Sequence, residues 1–278
     1  NISNMMKKQL LAISLLAATV SLKAQNPYPI IPIDSVQFVN QSKLTATPVV
    51  DLPDYISPTF VNPTYRDTVR FDGIVVASPR TYGLSTNRKA TYIQKEGGGP
   101  WSGVLVMCDP ATTPAAGRPT LPNFITETKF YENMVPGYKV RVTGRFAAFQ
   151  GETQMNVLRN NPDWSNAVEQ VDLNTYQPVY TVITADSLMT GNPTAGTWLQ
   201  KKADGEKWEG VLVEIRDVRV VGVTPFGGTR WNWAIQDNAG NQIDVRDFSA
   251  YFRNDDNEDT VPKIPNNWTY TIMISIAC

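Results

Sequence analysis

The acidic segment 254–259 contains the residues best suited to bind a metal ion. Asp255, Asn257 and Asp259 alternate along the chain. In a calcium loop this spacing lets oxygens at positions 1, 3 and 5 converge on one hard cation. The pattern then departs from that loop, because position 6 is Thr260 rather than glycine and position 12 is Asn266 rather than glutamate. A Ca²⁺ site remains one interpretation, and the departures favour the other, a solvated polar turn that needs no cofactor.

Aromatic side chains at two places have the spacing of a ligand-stacking platform. Trp231 and Trp233 stand two residues apart on a predicted strand, so both project to one face. Aromatic rings on such a face can stack against bases or sugars. Packing in the core or between domains is the favoured alternative, because Ile235 continues the same face. An equivalent group earlier in the chain supplies four further candidates for ligand contact: Arg88, Tyr92, Gln94 and Trp101.

The residue types argue against catalysis. The chain contains no histidine, which excludes a Ser-His-Asp hydrolase, a histidine zinc site and a histidine general base. The glycines at 97–99 join two predicted strands and lack the lysine and helix that follow a phosphate-binding loop. The carboxylates in loops and at strand edges form no convincing pair; they are Asp109, Glu127, Glu132 and Glu152. We therefore predict a protein that is not an enzyme.

The first 24 residues have the pattern of a secretory signal peptide. Lys7 and Lys8 precede an apolar run at 10–22, and Ala24 stands before the expected cleavage site. The run is too short for a stable transmembrane helix, and no later segment is long enough to cross a bilayer. We predict a protein that is secreted to the extracellular space or the outer cell surface.

Charge and cysteine content restrict the partners only loosely. Removing residues 1–24 removes three lysines, which leaves 22 basic and 26 acidic side chains. That balance weakens a general nucleic-acid function, because a basic surface supplies most non-specific affinity for phosphates. Cys108 and Cys278 are the two cysteines; export permits a disulfide, but the apolar neighbours of Cys108 favour a buried thiol.

Alternation and turn residues predict an all-β chain from residue 67 onward. Five strands precede residue 162, and the longest excursion, with a short helical turn at 127–133, lies between the third and fourth. This is the layout of an OB-fold, a five-stranded Greek-key barrel. A β-sandwich, the competing architecture, needs about seven strands in about 100 residues. The five strands are predicted at 67–78, 90–95, 102–108, 138–146 and 152–158.

A second, diverged copy of this pattern follows. The segment Glu209-Gly-Val aligns with Asp72-Gly-Ile, and Ile235-Gln236 aligns with Ile93-Gln94. A repeat of this kind fixes a unit of about 100 residues. The predicted organisation is a signal peptide at 1–24, a Pro-rich extended lead-in at 25–66 with one strand at 34–40, a first barrel at 67–162, a connector at 163–200 with a helical turn at 184–189, and a second barrel at 201–278.

Several motifs resemble secreted tandem OB-fold modules of Bacteroidota-like bacteria. They are Gly-Ile-Val-Val (73–76), Tyr-Ile-Gln before a Gly-rich turn (92–94), Pro-Gly-Tyr-Lys-Val-Arg-Val-Thr-Gly (136–144), Phe-Gln-Gly-Glu-Thr-Gln (149–154) and Gly-Val-Leu-Val-Glu-Ile-Arg-Asp-Val-Arg-Val (210–220). Such modules occur in surface proteins and beside extracellular nucleases, so the resemblance implies a fold and an extracellular location. It implies no activity, because nothing in the chain resembles a nuclease domain.

The second barrel is predicted to be incomplete. After the acidic loop the chain offers one further strand, at 268–276, and a fifth strand is missing. An open barrel exposes main-chain groups that can accept a strand. We expect this edge to be closed by sequence beyond residue 278 or by a neighbouring subunit, for example through its residues 26–60, which would build a filament. The preferred function is a structural protein that binds protein partners, including copies of itself; the alternative is a module that binds single-stranded DNA or polysaccharide.

Overall fold

A computed structural model describes ten parts of the chain. They are residues 28–46, 68–80, 88–109, 121–149, 152–158, 167–192, 197–200, 205–225, 231–246 and 269–275. The predicted signal peptide, the acidic segment with Asp255, Asn257 and Asp259, and Cys278 lie outside the described residues. Among the described helices, none combines the length and the apolar character that crossing a membrane requires.

The first sheet is a closed OB-fold barrel. Its strand order is β1-β2-β3-β5-β4, and pairing of β4 with β1 closes it. All these pairs are antiparallel except β3 with β5, which run parallel. The predicted arrangement of five strands is confirmed. The strands are β1 (Thr68–Val75), β2 (Lys89–Gln94), β3 (Gly103–Cys108), β4 (Tyr138–Phe149) and β5 (Glu152–Val157).

Alternating side chains fill the interior of this barrel. Val104, Val106 and Cys108 of β3 point into the core, together with Phe71 of β1 and Met155 of β5. Cys108 is a buried free thiol, and burial raises its pKa to about 12. The described part of the excursion between β3 and β4 contains two short helices that pack on the barrel, at Leu121–Glu127 and Phe130–Asn133. The predicted helical turn therefore exists, and it begins earlier than the sequence pattern indicated.

Part of the predicted lead-in packs inside the first barrel. The strand expected at 34–40 is wrong: residues Ile33–Gln37 form a helix, α1, and Gln41–Leu44 form a second, α2. Ile33, Val36 and Gln37 are buried because their spacing places them on one helix face. The alternation of Val36 and Phe38 gave a strand pattern, and packing on the barrel overrode it. Residues 28–46 are therefore an integral part of the unit that contains the first barrel, which we call the first module.

A sixth strand extends the first sheet. β6 (Val168–Thr175) pairs with the first half of β4, beside β5, in a region that the sequence reading assigned to the connector. The rest of that region contains β7 (Thr181–Ile183), a single 3-10 turn at Ala185–Ser187, and the hairpin of β8 (Met189–Asn192) with β9 (Thr197–Gln200). The predicted helical turn at 184–189 corresponds to the 3-10 turn.

The second sheet is a half-barrel. Its order is β12-β11-β10-β13, and β7 pairs in parallel with the first half of β10. Within the described residues, no strand connects β12 to β13, so the predicted incomplete second barrel is confirmed. The strands are β10 (Leu212–Pro225), β11 (Trp231–Gln236), β12 (Gln242–Arg246) and β13 (Thr269–Ser275).

The pairing registers show how the two copies correspond. Ile93 and Gln94 pair with Val75 and Ile74, whereas Ile235 and Gln236 pair with Val220 and Arg219. The alignment of these β2 and β11 residues therefore agrees with the structure. The alignment of Gly210 with Gly73 is wrong. Gly73 precedes Ile74 and pairs with β4, and the residue that precedes Arg219 and pairs with β13 is Val218. The pairing of β10 with β13 is irregular between Ile215 and Val218, where Asp217 adopts a φ of 52°.

Each copy also begins with an extended segment parallel to its first long strand. In the first copy, the N–H of Ile31 donates to the carbonyl of Arg70, and the N–H of Arg70 donates to the carbonyl of Pro29, both at 2.8 Å. In the second copy, β7 pairs in parallel with β10. Each segment then enters a short helical turn, which places Ile33 in the first core and Ala185 in the second. The duplicated unit thus starts before the strands that the sequence comparison aligned.

Candidate functional site

Two of the predicted ligand-contact residues of the first barrel, Gln94 and Trp101, contact the unit that contains the second sheet, which we call the second module. Tyr92 is 2% exposed, and its hydroxyl donates to Oε1 of Glu152 at 2.8 Å. Its ring therefore offers no free face to a base or a sugar in this arrangement. Arg88 lies away from this contact in a half-exposed ion pair, with its Nε 3.2 Å from Oδ2 of the buried Asp109.

Gln94 connects the two modules through its side-chain amide. Its Nε2 donates to the carbonyl of Val179 at 2.5 Å, and its Oε1 accepts the N–H of Leu212 at 2.8 Å. The amide thus bonds one main-chain group just before β7 and one at the start of β10. Trp101 adds a main-chain bond, because its N–H donates to the carbonyl of Lys207 at 2.6 Å. We call this contact between the modules the joint.

Two glycines bring the backbones together at the joint. A Cβ atom on Gly103 would lie 2.0 Å from the carbonyl oxygen of Gly210, and a Cβ on Gly210 would lie 2.8 Å from the carbonyl carbon of Gly103. Gly210 also has a φ of +68°, which L side chains rarely adopt. Only glycine at both positions permits this close approach.

Three carboxyl groups from the two modules gather at the joint. Glu152 begins β5, whereas Glu206 and Glu209 belong to the turn before β10. Glu206 is 2% exposed and Glu209 is 3% exposed. Oε1 of Glu209 accepts the N–H of Thr153 at 2.8 Å, and its buried Oε2 has no hydrogen-bond partner.

Burial controls the ionisation of these groups. It raises the pKa of Glu152 to about 7, although the hydrogen bond from Tyr92 acts in the opposite direction. Burial, followed by the charge of Glu206, holds the pKa of Glu209 well above its ordinary value, and the N–H of Thr153 opposes this effect. Nevertheless, no set of three or more acidic, cysteine or histidine side chains in the described parts of the chain is arranged to hold a metal ion.

The remaining predicted site residues belong to β11 or lie outside the described residues. Trp233 lies in the second core with Ile235 and Ile243, and only 5% of it is exposed. Its neighbour Trp231 begins β11, but its side chain is not among those described. The metal candidates Asp255, Asn257 and Asp259 also lie outside the described residues, so the Ca²⁺ interpretation stays a prediction.

Sequence reasoning missed the joint itself. No sequence pattern marks Gly103, Glu209 or Gly210 as contact residues, and their proximity depends on how two barrels pack. One signal was available in β3: Val104, Leu105, Val106 and Met107 form a continuous apolar run. Such a run is typical of a strand buried on both faces. In the structure, all six β3 residues are buried, because Leu105 and Met107 pack in a separate cluster with Ala90 and Tyr92.

The second feature with functional potential is a pair of open sheet edges. Among the described strands, β12 pairs with β11 alone and β6 pairs with β4 alone. The main-chain N–H of Asp237 donates to the carbonyl of Asn241. Every second residue of an antiparallel strand bonds to its partner strand, so the N–H and C=O of Gln242 and Asp244 point away from β11. On β6, Leu173 is 93% exposed and Val171 is 38% exposed.

Comparisons with known proteins identify neither a family nor a function for this chain. No family model matches the chain, and no curated protein is significantly similar to it. Among solved structures, one that matches is described as the crystal structure of the tetrameric p202 HIN2. The TM-score is 0.27 and the sequence identity is 11%, over 63% of this chain and 67% of that chain. A likeness at this level identifies no function.

Proposed function

We propose that this protein is a secreted, non-catalytic interaction protein that assembles with copies of itself by pairing open sheet edges. The observation that carries the proposal is the half-barrel: among the described strands its sheet ends at β12, where Gln242 and Asp244 direct main-chain groups outward. Unpaired main-chain groups of this kind are a template for pairing with another chain.

The first module supplies a suitable partner edge in β6. Leu173 and Val171 expose apolar surface on this strand, in the part between Gln170 and Thr175 where its pairing with β4 is irregular. Burying an exposed leucine contributes about 1.5–3 kcal/mol. We propose that β6 of one copy pairs with β12 of the next. Because the two edges lie on different modules, the contact is head-to-tail, and unless the rotation closes a ring it builds a fibre.

Occupation of the usual ligand face favours this function over DNA or polysaccharide binding. OB-folds bind oligonucleotides and oligosaccharides through the face of strands two and three and the adjoining loops. Here Tyr92 and Gln94 on β2 are both buried. Tyr92 bonds Glu152, and Gln94 bonds Val179 and Leu212 across the joint. A ligand on this face would have to displace the second module.

Export is the second part of the proposal. The apolar run at 10–22, preceded by Lys7 and Lys8, supports cleavage after Ala24. Expression of the whole chain in a secreting bacterium tests this by mass spectrometry of the exported protein. We expect an N-terminus at Gln25; retention of residues 1–24 in the cell-associated protein would contradict export.

Light scattering of residues 25–278 tests the assembly. We expect the intact protein to form species whose mass rises with concentration, and L173K to remain monomeric. V221K is the matched control, because Val221 is an exposed valine on β10, outside both of the proposed pairing edges. An intact protein that is monomeric at every concentration would contradict the proposal, as would equal assembly by L173K.

A parallel low-salt gel shift with single-stranded DNA tests the alternative function, since phosphate binding weakens steeply with salt.

A further inference from the structure

The joint gathers acidic groups from both modules without the arrangement of a metal site. Glu152 stands on the first module, and Glu206 and Glu209 stand on the second. The groups that act on Glu209 are Glu206, Glu152, and the main chain and side chain of Thr153, and the group that bonds Glu152 is the hydroxyl of Tyr92. Each of these titratable neighbours is neutral or acidic, so ionisation of one carboxyl raises the cost of ionising the next.

The same residues hold the two modules together. Thr153 of β5 donates its N–H to Glu209, and Gln94 of β2 accepts the N–H of Leu212. The backbones meet at Gly103 and Gly210 in the same contact. Charge that develops on Glu209 therefore develops inside the surface by which the modules touch, where water is excluded.

We propose that the joint is a proton-controlled latch: it is closed while the carboxyl groups of Glu152 and Glu209 are protonated, and their ionisation loosens the second module from β2 and β5 of the first. Two carboxylates in a poorly hydrated site repel each other and lose hydration, and separation of the modules relieves both costs. Opening would expose Tyr92 and Gln94, the face through which OB-folds bind ligands. This inference is independent of edge-to-edge assembly.

Hydrogen exchange of the mature protein tests the latch without any substitution. The readouts are the amides of Leu212 and Thr153, which donate across the joint, compared at about pH 6 and about pH 9 after correction for intrinsic exchange. We expect protection of both amides to fall by about tenfold or more as the carboxyls ionise, while the amide of Val142 in the barrel core stays protected. Unchanged protection at Leu212 and Thr153 would overturn the proposal, and equal loss at Val142 would mean global unfolding instead.

A double variant tests the assignment to these two side chains. E152Q/E209Q keeps the shape of both side chains and removes their ionisation, so the joint should stay protected at both pH values. E132Q is the matched control, because Glu132 is an exposed carboxylate paired with Lys129 far from the joint, and it should respond as the unsubstituted protein does. A double variant that folds and still loses protection at high pH would show that other groups control the contact.

Discussion

At the scale of single residues, the contact between Gly103 and Gly210 is the least tolerant point of the molecule. We predict that G103A destabilises the protein by about 1–3 kcal/mol, because the added methyl meets the carbonyl oxygen of Gly210 and forces the modules apart. Chemical denaturation measures the effect. G222A is the control: its Cβ would sit 3.5 Å from that of Ala234, an ordinary contact, so it should change stability by less than about 1 kcal/mol. Equal effects of the two variants would contradict the close packing at the joint.

Glu152 gives a prediction for the pH dependence of stability. Burial raises its pKa to about 7 in the folded protein from an ordinary value of 4.5, so the folded state binds this proton more tightly than the unfolded state. Stability from this group is therefore present at low pH and is lost as pH rises between these two values, by up to about 3 kcal/mol.

The difference in unfolding free energy between the native protein and E152Q isolates this effect. We expect the native protein to lose stability relative to E152Q between pH 4.5 and pH 7, and the difference to stay constant above pH 7. E132Q, which alters an exposed carboxylate, should show a much smaller change. A flat difference for E152Q would show that burial does not perturb this group.

At the scale of elements, α1 shows how a short helix can belong to a barrel. Ile33 is 1% exposed and lies in the first core, whereas Ile30, three residues earlier, is 47% exposed. We predict that I33A costs about 2–5 kcal/mol of stability, because it leaves a cavity in the barrel. I30A should cost less than about 1 kcal/mol. Thermal or urea unfolding distinguishes them, and equal small effects would mean that residues 28–46 are not part of the barrel.

The elements that sequence predicted are those whose patterns are local. The alternation in 138–146 and the turn glycines at 97–99 located β4 and the hairpin of β2 with β3, and with them the OB-fold order. The helix at 33–37 was missed, because five residues carry too little periodicity to compete with a strand pattern. β6 and β7 were missed because their pairing partners, β4 and β10, are set by tertiary packing and no local signal marks them.

The candidate site was less predictable than the fold, for a related reason. The residues Tyr92, Gln94 and Trp101 were singled out because aromatic and amide groups on an OB-fold strand suit ligand contact. In the structure, Gln94 and Trp101 contact the second module instead. No sequence pattern marks Glu209, and its raised pKa arises from burial first and from the charge of Glu206 second, both of which depend on the folded chain. Such a cluster exists only in three dimensions.

At the scale of the whole molecule, the two modules differ in one respect that matters for assembly. In the part of the chain that the structure describes, the first sheet closes on itself and the second ends at β12, so a closed barrel is combined with an open sheet edge. The joint fixes that edge relative to β6 of the same chain through Gln94, Gly103 and Glu209. Copies that bind through β6 and β12 therefore repeat one geometry along the assembly.

The most direct measurement is the mass of D244P in solution, by light scattering over a range of concentrations. Proline at this position removes an N–H that points away from β11 and leaves the ladder of β11 with β12 intact. D244N keeps that N–H and is the control, with circular dichroism to verify that both variants fold. We predict that the native protein and D244N form large assemblies and that D244P has the mass of a single chain. Assembly of D244P equal to that of the native protein, or a native protein that stays monomeric throughout, would contradict assembly through the open edge.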